Sequence, residues 1–196
     1  MTAGQPFLQV LTRCYRRPQM LMTNMAGLTA QSDPDWEQTL LVDGEGRGIG
    51  AAQAALANLA PYVRGQYIWI VDDDDCCIRP TLVAECKAIA AEHEPDVIMV
   101  RMDHGPRGIL PDDAHWHKPP VLSWIGCSAY IVRRAVWQRH AHVFTSATYN
   151  SDFDFIAAVF ASDPDLDWHD VVASAVQRIS LGKDVNAEIE HGLRNA

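Results

Sequence analysis

A chain of 196 residues with 48% hydrophobic content is long enough to bury a core and is expected to form one domain. Its 16 Lys and Arg against 25 Asp and Glu give a formal charge of −9 without a basic stripe, which argues against a nucleic-acid backbone as partner. The cysteines (Cys14, Cys76, Cys77, Cys86, Cys127) are odd in number and lack Cys-x-x-Cys spacing, the N-terminus shows no charged-then-apolar leader, and no apolar run could span a bilayer; a reducing, cytoplasmic setting is expected, with any membrane contact peripheral.

In chain order, residues 7–11 (Phe-Leu-Gln-Val-Leu) read as a first strand ending at the loop Thr12-Arg13-Cys14-Tyr15-Arg16-Arg17-Pro18. Pro18 suits the first turn of a helix over 19–31, where its missing N–H costs nothing, and Met22, Met25 and Leu28/Thr29 recur on one face of that helix. Asp33-Pro34 breaks that helix. Residues 36–42 form a second strand ending at Asp43, and the glycine-rich turn 44–50 leads into a helix carrying Ile49, Ala52, Leu56 and Leu59 at spacings of three and four. The third strand, Tyr67-Ile68-Trp69-Ile70-Val71, has no polar alternation and so is expected to be buried on both faces, as in the centre of a parallel α/β sheet. Right-handed crossovers make these three strands parallel.

Four carboxylates, Asp72-Asp73-Asp74-Asp75, follow the third strand at the edge where open α/β sheets bind ligands. Like charges packed together need a positive neighbour, and hard oxygen ligands suit Mg²⁺ or Mn²⁺ carrying the phosphates of a substrate. The same run could also be a solvated acidic turn.

Pro80 opens a helix with Leu82, Val83, Cys86, Ile89 and Ala90 inward, closed by Pro95-Asp96, and residues 97–100 are another buried strand. Residues 103–120, rich in Gly and Pro and holding Asp112, Asp113, His115, Trp116 and His117, are expected to form a long functional loop or lid. Residues 121–132 read as strand, 133–142 as a short helix, and Ser151 as the N-cap of a helix running through Asp152, Phe153, Asp154, Phe155 and Ile156. Residues 168–179 are expected to be a last strand, and 183–196 a loose polar tail. The six tryptophans are most economically core and loop anchors, with Trp116 and Trp124 the candidates for ligand contact.

Val10-Leu11-Thr12-Arg13-Cys14-Tyr15-Arg16-Arg17-Pro18, the strand ending Val42-Asp43-Gly44, and Gly65-Gln66-Tyr67-Ile68-Trp69-Ile70-Val71 with its four aspartates resemble the nucleotide-binding half of family 2 glycosyltransferases of the GT-A fold. Gly126-Cys127-Ser128-Ala129-Tyr130-Ile131-Val132-Arg133-Arg134 and Ser151-Asp152-Phe153-Asp154-Phe155 resemble the acceptor-side half. The resemblance implies a single Rossmann-like α/β domain with a mostly parallel central sheet flanked by helices. Its donor half spans residues 7–102 and its acceptor and catalytic half residues 103–182. The implied activity is metal-dependent transfer of a sugar, with inversion, from a nucleotide-diphosphate sugar to a hydroxyl acceptor. By the same resemblance Thr12, Tyr15, Asp43, Asp72 and Asp73 contact the donor nucleotide, Asp72, Asp74 and His169 hold Mn²⁺ or Mg²⁺, and Asp152 is the general base.

A second reading rests on Gly44-Glu45-Gly46-Arg47-Gly48-Ile49-Gly50, which fits the turn of short-chain dehydrogenases, with Asp72, about 20 residues further on, where a ribose-binding acid would stand. Against it, the lysines are Lys87, Lys118 and Lys183, none four residues after a tyrosine, and the turn follows the second strand. A non-catalytic GT-A-like nucleotide-binding domain is the third reading.

Overall fold

The computed structural model describes residues 4–146 and 148–177. Its strands are β1 (Leu8–Cys14), β2 (Trp36–Val42), β3 (Tyr67–Ile70), β4 (Asp75–Cys77), β5 (Val97–Asp103), β6 (Ile109–Leu110), β7 (Tyr130–Arg133) and β8 (Leu166–Val176). The helices are α1 (Pro18–Thr29), α2 (Ile49–Leu59), α3 (Leu82–His93), α4 (Arg134–His140) and α5 (Ser151–Phe160). One sheet runs β2-β1-β3-β7-β5-β8-β4, with β6 on the side of β5. β1 pairs in parallel with both β2 and β3, and β5 in parallel with β8. β7 is antiparallel to β3 and to β5, and so wedges between the two halves of a mostly parallel sheet.

β3 shows why an unalternating strand belongs at the centre. Ile68 and Ile70 enter one core with Leu11, Met99, Tyr130, Trp137 and Phe155, whereas Tyr67 and Trp69 enter the other with Val10, Leu28, Cys86 and Ile98. The Trp69 indole N–H is satisfied by the Ser128 carbonyl at 3.0 Å, and the Tyr67 hydroxyl by that of Pro95 at 2.9 Å.

In α1, Met22 and Met25 are 70% and 43% exposed, while Asn24 and Leu28 are buried. Asn24 turns inward because its amide donates to the carbonyls of Val71, Asp72 and Asp75, which leave the sheet ladder there. Residues 121–129 are not strand: Pro119 and Pro120 offer no N–H, Trp124 N–H closes a turn on the Val121 carbonyl, Ser123 has φ +70°, and Cys127–Ala129 form a single 3-10 turn. The stretch 103–120 contains β6 and is pinned by Arg101, which donates to the Pro111 carbonyl and pairs with Asp113 and Asp170 at 2.9 and 2.5 Å. Ser151 is the first residue of α5 itself; Asn150 holds the cap position, and the Ser151 hydroxyl donates to the Thr148 carbonyl. The expected tail over 183–196 and the end of the last strand beyond 177 lie outside the described residues.

Candidate active site

The turn after β3 separates its four aspartates by environment. Asp73 and Asp75 are buried, whereas Asp72 and Asp74 keep some contact with solvent. Asp75 begins β4 and accepts from the Ser128 hydroxyl at 3.3 Å; burial and the neighbouring Asp74 and Asp72 raise its pKa well above the ordinary carboxylate range. Asp73 accepts the Tyr15 N–H at 3.0 Å and pairs with Arg17 at 2.5 Å; burial outweighs those partners and pushes its pKa up to about 7. Burial and the charge of Asp72 likewise raise Asp74, whose partner is Arg17 at 2.5 Å.

The loop after β1 lies against the end of β2, as expected for neighbouring parallel strands: Asp43 N–H donates to the Cys14 carbonyl at 2.9 Å. The Asp43 carboxylate accepts from the N–H groups of Glu45, Gly46 and Arg47. Desolvation raises its pKa, but these donors and Arg47 together hold it below the ordinary range. Gly46 has φ +78°, and a Cβ there would stand 2.2 Å from the Tyr15 hydroxyl oxygen, so this turn and Tyr15 are built against each other. Thr12 does not face the site. It is fully buried, its hydroxyl accepts from Gln38, and Gln38 continues to Asn24, so Thr12 supports the loop from beneath.

Asp152, at the head of α5, is drawn to the same edge. Arg13 donates from Nε and Nη2 to the two oxygens of Asp72 at 2.7 and 2.5 Å, and Nη2 also reaches Asp152 at 3.3 Å. Its Nη1 donates to Gln53 of α2 at 2.9 Å. The helix terminus alone would keep Asp152 ionised at low pH; instead burial and Asp72 raise its pKa against the pull of Arg13. Tyr130 fixes the helix head by donating to the Asp152 carbonyl at 3.1 Å, and the Cys127 thiol, kept protonated by burial, faces Asp72 at 3.8 Å. Arg13, Arg17, Gln53 and Cys127 were not among the expected site residues; two arginines flanking Tyr15 in an acidic chain, one of them closing a buried strand, are the signal that marks them.

His169 is not brought to Asp72 and Asp74. Its Nε2 lies 2.9 Å from Glu85 of α3, which Arg79 and Thr81 also bind. Trp116 is 8% exposed, covered by the Arg101 guanidinium at 4.3 Å and edge-on to Trp168, so it belongs to the core. Trp124, stacked on His115 at 4.5 Å, is 39% exposed. The glycine turn opens α2 behind edge strand β2, and the acid that a dinucleotide ribose would need, Asp72, is engaged by Arg13.

A divalent ion fits Asp72 and Asp74 chemically: they are hard oxygen donors two residues apart at a partly exposed edge, with Asp73 and Asp75 buried behind them. Among the described residues no cluster of three or more Asp, Glu, His or Cys side chains forms a metal cage, so water and substrate oxygens would complete the shell.

This architecture is a GT-A-like glycosyltransferase fold. No protein-family model matches the sequence, and no curated protein matches it significantly. Among solved structures, the chain is similar to S. aureus TarS residues 1–349 in complex with UDP, with TM-score 0.66 and 15% identity over 86% of this chain and 60% of that one. It is also similar to the mannosyltransferase PcManGT from Pyrobaculum calidifontis in complex with GDP-Man and Mn²⁺, with TM-score 0.62 and 13% identity over 93% of this chain and 60% of that one. HddC from Yersinia pseudotuberculosis, complexed with GMP-PN, matches at TM-score 0.52 and 13% identity over 93% of this chain and 99% of that one. The chain thus spans about 60% of the length of TarS 1–349 and of PcManGT. No helix among the described residues is long and apolar enough to cross a membrane.

Proposed function

We propose that this chain is a glycosyltransferase domain that moves a sugar from a nucleoside-diphosphate sugar to a hydroxyl acceptor, with inversion at the anomeric carbon. The observation that carries this reading is the guanidinium of Arg13, which touches Asp72 at the end of β3 and Asp152 at the head of α5. A donor-side and an acceptor-side carboxylate thereby share one edge of the sheet. Asp43, kept ionised at the end of β2, and Tyr15 beside it are placed to receive the base and ribose. Mn²⁺ or Mg²⁺ held by Asp72 and Asp74 would neutralise the leaving diphosphate. Asp152, with its raised pKa, accepts the proton of the attacking hydroxyl from the opposite side. The solved structures of similar fold that hold UDP, or GDP-Man with Mn²⁺, support the donor class.

Titration calorimetry of UDP and GDP in Mn²⁺ and in EDTA tests the donor half: affinity at least about tenfold higher with Mn²⁺ is expected, a coupling within the usual range. Equal affinity in both would remove the metal-dependent reading. Asp152→Asn should abolish transfer while leaving donor binding intact, because Asn cannot accept the proton. Near-normal turnover, or a product of retained configuration, would take the role from Asp152. Tight donor binding with no transfer or hydrolysis under any acceptor would leave a binding domain.

A further inference from the structure

The donor reading gives neither Arg13, near the end of β1, nor Arg17, in the loop after it, a part in binding the donor. Arg13 occupies both oxygens of Asp72, while Arg17 spans Asp73 and Asp74, each at 2.5 Å. The oxygens suited to a divalent ion are therefore held by guanidinium groups, and one oxygen cannot serve both at full strength. Around them are unspent donors. Gln53 is fully buried, its amide oxygen accepts from Arg13, and its Nε2 has no partner among the described residues; Arg17 Nε is buried and lacks one as well. Unsatisfied buried N–H groups beside two cations are complementary to an anion, not to a second cation.

We propose that Arg17, assisted by Arg13, competes with the divalent ion for the aspartates and becomes a ligand of the donor's diphosphate once the ion takes them. Stripping a buried guanidinium of its carboxylate leaves an uncompensated charge, so the ion alone binds against a penalty. A diphosphate alone meets arginines already neutralised and carboxylates that repel it. Together the two exchange partners: Asp72 and Asp74 turn to the cation, and the freed arginines, with the Gln53 amide and Arg17 Nε, turn to phosphate oxygens. Cation and nucleotide then bind as a coupled pair, and each raises the affinity of the other by the same factor. This rests on the donor reading above, and its test separates the two.

The probes are Mn²⁺ alone, followed by free-ion electron paramagnetic resonance, and UDP or GDP at saturating Mn²⁺, followed by calorimetry, all at pH 8 on the full chain. Arg17→Gln should bind Mn²⁺ alone about five- to tenfold more tightly than the unmodified protein, and the enhancement by nucleotide should fall from about tenfold or more to under about threefold. Arg17→Lys, which keeps the charge but not the fork across two carboxylates, should lie between them and serves if the glutamine variant does not fold. Mn²⁺ binding to either variant that is unchanged or weaker overturns the competition. Undiminished nucleotide enhancement in a variant overturns the hand-over to diphosphate. If neither nucleotide binds the unmodified protein while Arg17→Gln still tightens Mn²⁺, the competition is supported, and the donor reading falls together with the hand-over to diphosphate.

Discussion

Arg13 is the residue on which the two halves of the site depend. It is buried, and its forked donors satisfy Asp72 and Gln53 while Nη2 also faces Asp152, so its removal strands two partly buried carboxylates at once. Arg13→Ala should therefore cost about 3 kcal/mol of folding stability, read as a lower midpoint in a urea titration. Arg13→Lys should recover less than half, since one ammonium cannot reproduce the bidentate geometry. A loss under about 1 kcal/mol for the alanine variant would mean that both acids relax to solvent or protonate without help, the outcome for an ordinary surface pair. The aspartates themselves were legible from sequence, because four acids abutting a buried strand are conspicuous. Their sorting was not: Asp73 and Asp75 point inward and Asp72 and Asp74 outward by virtue of a turn whose shape is set by Asn24, Gln177 and the β1 loop, all distant in sequence.

At the scale of elements, the first three strands and their two helices stand where sequence places them, because unbroken apolar runs joined by helices allow few other arrangements. What sequence could not supply was the antiparallel wedge of β7, since the crossover rule governs only successive parallel strands and the Tyr67↔Arg133 register spans about a third of the chain. The inward face of α1 was out of reach for a related reason: spacing reports which residues share a face, and which face turns inward is decided by the carbonyls that Asn24 must satisfy. Asn24→Ala is accordingly expected to cost about 2 kcal/mol, as buried acceptors lose their donor, whereas Met25→Ala on the exposed face should change stability by under about 0.5 kcal/mol. Comparing the two thermal midpoints checks this. A larger loss at Met25 than at Asn24 would show that the exposed face is covered in solution.

Over the whole molecule, two buried or tethered acids pull stability in opposite directions with pH. Glu85 is raised by desolvation, but bonds from Arg79, His169 and Thr81 prevail and lower its pKa to about 2. Its stabilising contribution is present above its ordinary value near 4.5 and is lost as pH falls toward about 2. Asp73 behaves oppositely. Burial raises it from 3.8 to about 7, so between those values the folded chain keeps a proton that the unfolded chain has released, and stability declines as pH rises through that window. Asp74, Asp75 and Asp152 are shifted in the same direction and deepen the decline. In EDTA the thermal midpoint should therefore peak near pH 4 to 5, below the neutral range where many domains are most stable. Asp73→Asn, a fixed mimic of the protonated acid, should flatten the alkaline arm between pH 5 and 7, and Glu85→Gln should flatten the acid arm while leaving the other untouched. A midpoint that climbs steadily from pH 5 to 7 in the unmodified protein, with the same slope in Asp73→Asn, would show that these carboxylates are ionised in the fold and that the two arginines already neutralise them fully.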